Sequence, residues 1–104
     1  MYARRIDMHL KPNCVPELTR KLNTEVIPLL RKQAGFQDEI TFIGKDGKEA
    51  FAISLWDRKE SAEAYSKQAY PEVTKLLAPM LDGTSEVATY EVSNSTFHKI
   101  AAVA

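Results

Sequence analysis

The stretch that most constrains the fold is Gly44-Lys45-Asp46-Gly47-Lys48, set between two runs of strand character, Phe36 to Gly44 and Glu49 to Trp56. Gly accepts the positive φ of a tight hairpin turn, so Asp46-Gly47 predicts an antiparallel pair at the centre of the chain. The flanks extend that pair symmetrically. Before it, Ile6, Met8 and Leu10 alternate with Arg5, Asp7 and His9, the period of a half-buried strand. Lys11-Pro12-Asn13 breaks the alternation, and Asn13 is expected to cap a helix. Val15, Leu18, Leu22, Val26, Leu29 and Leu30 then recur at helical spacing. Pro28 lies inside that helix and should kink it, and Gly35 should end it.

Beyond the hairpin, Asp57 with Glu60 reads as a capping box. A helix is expected from Ser61 to Tyr70, restarting at Pro71 and running to about Leu81 before Asp82-Gly83 closes it. Ser85 to Val92 is the last strand. The order is β-α-β-β-α-β. That predicts an α+β, ferredoxin-like βαββαβ fold, with a four-stranded antiparallel sheet and two helices on one face. At 104 residues, with no linker or repeat, the chain is expected to form one domain over 1–104. The tail 93–104, with its apolar end, is expected either to prolong the last strand or to act as an arm onto a partner subunit.

Both faces of such a sheet carry apolar residues. Phe51, Ile53 and Leu55, being large, are expected under the helices. Ala50, Ala52, Ser54 and Trp56 would form a concave floor on the opposite face. In the second strand Phe36, Ile40 and Phe42 share one side and Ile43 takes the other. A sheet apolar on both faces needs cover on both. The expected partner is a second copy of the chain, giving a homodimer.

Charge narrows the function. Lys+Arg and Asp+Glu both number 14, so no basic excess points to nucleic acid, and Arg4-Arg5 and Arg31-Lys32 read as solvated surface. The single cysteine, Cys14, forms no disulfide within the chain. No apolar run reaches the roughly 20 residues of a membrane helix, and no leader opens the sequence, so a cytoplasmic protein off the membrane is expected. His9 and His98 stand in no ligand spacing, and no metal is expected.

The segments Gly35-Phe36 and Phe51-Ala52-Ile53-Ser54-Leu55-Trp56-Asp57, continuing through Arg58-Lys59-Glu60-Ser61-Ala62-Glu63-Ala64-Tyr65, resemble the antibiotic biosynthesis monooxygenase-like family of the dimeric α+β barrel superfamily. The resemblance covers most of the chain in the order and spacing of elements. It implies a homodimer whose sheets form a barrel, with a pocket between each sheet and its helices or loops. Some members oxygenate polycyclic aromatic substrates with O₂ and no cofactor, others degrade haem, and others act on small signalling molecules. Haem degraders carry a histidine about ten residues after the tryptophan, where this chain reads Tyr65-Ser66-Lys67, and they carry a strand-one asparagine where Asp7 and His9 stand. Anthrone oxygenases pair the tryptophan with a preceding asparagine and a later tyrosine. Trp56 and Tyr65 match two of those roles, and no asparagine precedes Trp56 in its strand.

The function expected from this resemblance is cofactor-independent monooxygenation of a small aromatic or quinone-like molecule. The alternative is a non-catalytic dimeric barrel that binds a small ligand or a partner protein. The expected catalytic residues are His9 as general base, Trp56 stacking on a planar ring, and Tyr65 as a hydrogen-bond donor. Asp7, Ser54, Tyr90 and His98 would contact substrate. On the expected faces Asp7, His9, Ser54 and Trp56 converge. Each also has a plainer reading: His9 as an exposed strand histidine, Trp56 as a wedge between sheet and helix, Tyr65 as core, and Tyr90 as an ordinary strand tyrosine.

Overall fold

A computed structural model describes residues 1–97, so the expectations for His98 and the end of the tail lie outside the described residues. Four strands, β1 (Tyr2–His9), β2 (Phe36–Ile43), β3 (Glu49–Trp56) and β4 (Glu86–Glu91), form one sheet in the order β2-β3-β1-β4. Every neighbouring pair is antiparallel. The β2–β3 connection is the expected hairpin. Gly47 adopts φ 71°, its N–H donates to the Gly44 carbonyl at 3.0 Å, and Asp46 accepts from the Lys48 N–H at 2.9 Å.

Two helical arms cover one face of this sheet, which is the ferredoxin-like α+β arrangement. The first comprises α1 (Val15–Lys21), a π-helical turn (Leu22–Val26) and α2 (Ile27–Arg31). The π turn directly precedes Pro28. That proline lacks an N–H and its ring crowds the carbonyl four residues back, so the backbone widens there to i→i+5 bonding. The Ile27 N–H accordingly donates to the Leu22 carbonyl. The second arm is α3 (Lys59–Gln68), then α4 (Tyr70–Leu77) and a 3₁₀ turn (Ala78–Met80). Pro71 occupies the first turn of α4, where its missing N–H costs nothing.

Neither expected side-chain cap forms. Asn13 takes φ 61°, which carries the chain around the turn, and Cys14 occupies the cap position. The cap of α3 is Arg58, and no side chain bonds the free N–H groups there. Asp57 is drawn instead toward the start of β2, where its N–H donates to the Gly35 carbonyl at 2.8 Å.

The two faces of the sheet are the reverse of those expected. Ala50, Ala52, Ser54 and Trp56 are buried beneath the helices, and Phe51, Ile53 and Leu55 lie on the uncovered face. The reason is volume. Leu18, Leu22, Val26, Leu30, Val73 and Leu77 descend from the helices and fill the interior above Ala50, Ala52 and Ser54, where only small residues fit, and Trp56 at the end of the strand fills the remaining space. The second strand also departs from simple alternation. A bulge between Phe36 and Asp38 adds a residue, which sets Phe36 on the helix face while Ile40 and Phe42 stay on the open one. Phe36 then meets Trp56 edge-on, with ring centres 5.5 Å apart.

Candidate functional site

Directly paired residues on neighbouring strands point to the same side, so the register defines rows across the covered face. One row runs Glu39, Ser54, Arg4, Thr89 from β2 to β4. It is polar throughout. The next row toward one end is Phe36, Trp56, Tyr2, Glu91, and toward the other it is Thr41, Ala52, Ile6, Val87. A polar band therefore crosses the sheet between an aromatic row and a mostly apolar one, buried at Ser54 and Arg4 and exposed at Thr89.

Trp56 is fully buried and donates its indole N–H to Ser54 Oγ at 2.9 Å. Tyr65 descends from α3 and stacks on Trp56, with ring centres 4.8 Å apart and planes 29° from parallel. The guanidinium carbon of Arg4 lies 5.1 Å from the Tyr65 ring centre and 4.4 Å from that of Tyr70. Burial pushes the Tyr65 hydroxyl up to about 12, against the opposing pull of Arg4. Burial also lowers the pKa of Arg4, opposed by the two tyrosines. Tyr70 is tied to the loop before β4 through Ser85 Oγ, 3.3 Å from its hydroxyl.

A small cavity of about 30 Å³ lies here, walled by Glu39, Ala52, Ser54 and Tyr65 together with Leu22 and Val26 of the π turn. That volume suits a water molecule and is too small for a ring. Among the described residues Glu39 is the only carboxylate on its wall, and it accepts a hydrogen bond from the Thr41 hydroxyl.

The expected convergence of Asp7 and His9 with Ser54 and Trp56 does not occur. Asp7 is opposite Phe51 and His9 opposite Glu49, whereas Arg4 is opposite Ser54 and Tyr2 opposite Trp56, so the two sets occupy opposite faces. Asp7 accepts from Arg5 Nη2 at 2.9 Å, which occupies its carboxylate. His9 is exposed, with Nδ1 3.3 Å from Glu49 Oε1. Both line an open cleft of about 500 Å³ on the uncovered face. Tyr90, opposite Ala3, is also on that face and is 53% exposed. Of the seven residues expected at the site, the structure brings together Ser54, Trp56 and Tyr65.

Arg4 and Glu39 were not expected at the site. Arg4 had a signal in the sequence. It is in phase with Ile6 and Met8, so a charge stands among the inward positions of β1. Glu39 had none, because the bulge at the start of β2 hides its phase.

Among the described residues no group of three or more His, Cys, Asp or Glu side chains is arranged to hold a metal ion, and no helix is long and apolar enough to cross a membrane. No described histidine faces the cavity, since His9 is on the far face.

No family profile matches the sequence, and no curated protein does. Solved structures do match in fold. A monooxygenase from the gene ActVA-Orf6 of Streptomyces coelicolor, in complex with nanaomycin D, superimposes with a TM-score of 0.77 over 90% of this chain and 88% of its own, at 14% identity. SnoaB, a cofactor-independent oxygenase from Streptomyces nogalater, gives 0.73 over 91% of this chain and 95% of its own, at 12% identity. A mutant of MhuD, with two manganese protoporphyrin IX molecules in each active site, gives 0.74 over 92% of this chain and 98% of its own, at 14% identity. The chain therefore has the fold of the antibiotic biosynthesis monooxygenases.

Proposed function

We propose that the covered side of the sheet is a small-molecule site, and that the protein oxygenates a planar aromatic or quinone-like molecule there with O₂ and no bound cofactor. The observation that carries this reading is the stacked pair Trp56–Tyr65 beside a cavity on whose wall Glu39 supplies a carboxylate. Two oxygenases share the fold, one described as cofactor-independent and the other solved with nanaomycin D.

In cofactor-free oxygenation the substrate itself must become the reductant. Glu39 takes a proton from an activated ring CH₂, leaving a carbanion that the neighbouring rings hold flat. The carbanion carbon bonds O₂ to give a peroxide. Transfer of the second C–H proton to the departing oxygen, with cleavage of the O–O bond, leaves a carbonyl and hydroxide, and the proton held by Glu39 converts hydroxide to water. The balance is R₂CH₂ + O₂ → R₂C=O + H₂O. Tyr65 stays protonated throughout the neutral range, so it serves as a donor to the developing oxygen charge. Ser54 accepts from Trp56 and retains its own proton to donate. A ring must enlarge the cavity to bind, and the π turn, whose bonding is the least regular in that wall, is the part that yields.

The uncovered face supports a second copy as partner. Ile40 and Phe42 are each 42% exposed, and Phe51, Ile53 and Leu55 lie beside them. Phe42 and Phe51 stack with ring centres 4.7 Å apart, so the patch is continuous. Arg5, Asp7, His9 and Tyr90 belong to this interface rather than to the pocket.

Oxygen uptake with dithranol, a dihydroxylated anthrone, tests the reaction. Uptake above the buffer background that falls at least tenfold in Glu39→Gln supports it. No uptake above background by the folded protein overturns it in favour of the non-catalytic, ligand-binding alternative, to which the small size of the cavity also lends support.

A further inference from the structure

Arg4 is a charge in the wrong place for a purely structural residue. It is only 3% exposed and lies beneath the helices on the central strand β1. Its Nη1 is out of solvent and makes no hydrogen bond. Among the described residues no acid forms an ion pair with it, although four other Lys or Arg side chains are paired with acids. The rings of Tyr65 and Tyr70 both lie against the guanidinium, but neither ring supplies an in-plane acceptor for its N–H groups.

A guanidinium cannot escape this position by losing its proton. A buried, unpaired cation costs stability, and an apolar side chain of similar volume would serve the fold as well or better. The position of Arg4 gives the charge a use. Its partner across the strand is Ser54, and one ring it touches is Tyr65, both of which line the cavity. Tyr65 in turn stacks on Trp56. Arg4 and Trp56 therefore stand just behind the lining, each in contact with Tyr65, the aromatic residue of the cavity wall.

We propose that Arg4 receives an anionic oxygen of the bound molecule, so that the site selects planar rings bearing a carboxylate or phenolate over their neutral analogues. This rests on the covered cavity being a ligand site and defines the class of ligand it takes. A charged donor, largely desolvated and lying against two rings, loses little on pairing with an oxyanion, whereas a neutral ring leaves it unpaired. Arg4 acts here as a binding residue, and the inference is independent of whether oxygenation follows.

Calorimetric titration of the full chain with 2-naphthoate and with 2-naphthamide tests it, because the two probes share a ring and differ in charge. The wild-type protein should bind the acid at least tenfold more tightly than the amide. Arg4→Met should abolish that preference without lowering the melting temperature. Equal binding of the two probes by wild type, binding of neither, or a preference that survives in Arg4→Met would each overturn the proposal. Should Arg4→Met fail to fold, Arg4→Lys decides: at least fivefold weaker acid binding with unchanged amide binding supports the proposal, and unchanged acid binding overturns it. The dithranol assay separates this from the reaction proposed above. Acid selectivity without oxygen uptake would remove the reaction and leave Arg4 as the anion-binding group. Uptake without acid selectivity would do the reverse.

Discussion

Trp56 donates its indole N–H to Ser54, two residues earlier on the same strand, at 2.9 Å and out of solvent. Residues i and i+2 of a strand share a face, so this bond fixes the indole along the sheet rather than across it. Tyr65 can then stack on the ring from above and Phe36 can meet its edge. The serine thus orients the central aromatic of the site.

Removing that hydroxyl leaves a buried donor unpaired. Ser54→Ala should destabilise the fold by about 1–3 kcal/mol. Urea denaturation measures the loss. Trp56 is the only tryptophan, so its fluorescence reports the local change directly. A stability within 0.5 kcal/mol of wild type, by the ~±0.5 kcal/mol scale of neutral surface changes, would mean the indole finds another acceptor.

Tyr65 makes stability fall in alkali. Its folded pKa is raised to about 12 from an ordinary 10, so between those values the unfolded chain releases a proton that the folded chain keeps. Stability is full below pH 10 and declines until about pH 12, by about 2–3 kcal/mol in all. Tyr65→Phe should flatten that part of the pH profile, and a profile of equal slope in the variant would refute the assignment.

Gly35 should tolerate no side chain. It adopts φ 82°, and a Cβ there would stand 2.3 Å from Asp57 Oδ1 and 2.6 Å from Ser61 Cβ. The left-handed backbone alone costs roughly 1–2 kcal/mol, and the overlap adds to it. Gly35→Ala should therefore lower the urea midpoint by more than the backbone effect alone would, separating the start of β2 from the β3–α3 junction.

His9→Ala should leave turnover within twofold of wild type in the dithranol assay. The imidazole lies on the face opposite the cavity, paired with Glu49. A tenfold loss would restore His9 as the base and displace Glu39.

Phe42→Glu should convert a dimer to a monomer by light scattering, with helix and strand content unchanged in the far-ultraviolet spectrum. Phe42 is stacked on Phe51 on the uncovered apolar face, where a charge opposes association. A wild-type protein that is monomeric at micromolar concentration would exclude the second copy as the cover of that face.

Much of the architecture is legible in the residues. The period-two runs, Asp46-Gly47, the two helical periods and the prolines at 28 and 71 act through local backbone geometry, and each element appears close to where it is expected. The caps at Asn13 and Asp57 fail because other geometry claims those residues. Asn13 supplies a left-handed turn, and Asp57 turns toward Gly35.

What the sequence determined by itself is the order of elements and which residues share a side within an unbroken strand; in β2 the bulge moved Phe36 across. Both follow from periodicity, a property of the local chain. Which of the two sides the helices cover, and which strand residues stand opposite one another, only the tertiary structure decided. Hydrophobicity could not choose the side, since both carry apolar residues. The choice rested on volume, because leucines descending from the helices left room only for Ala50, Ala52 and Ser54 beneath them. Register then set Arg4 beside Ser54 and placed Asp7 and His9 on the far side. A strand's two faces are exchanged by a shift of one residue, so a site that spans strands depends on pairings no single strand encodes.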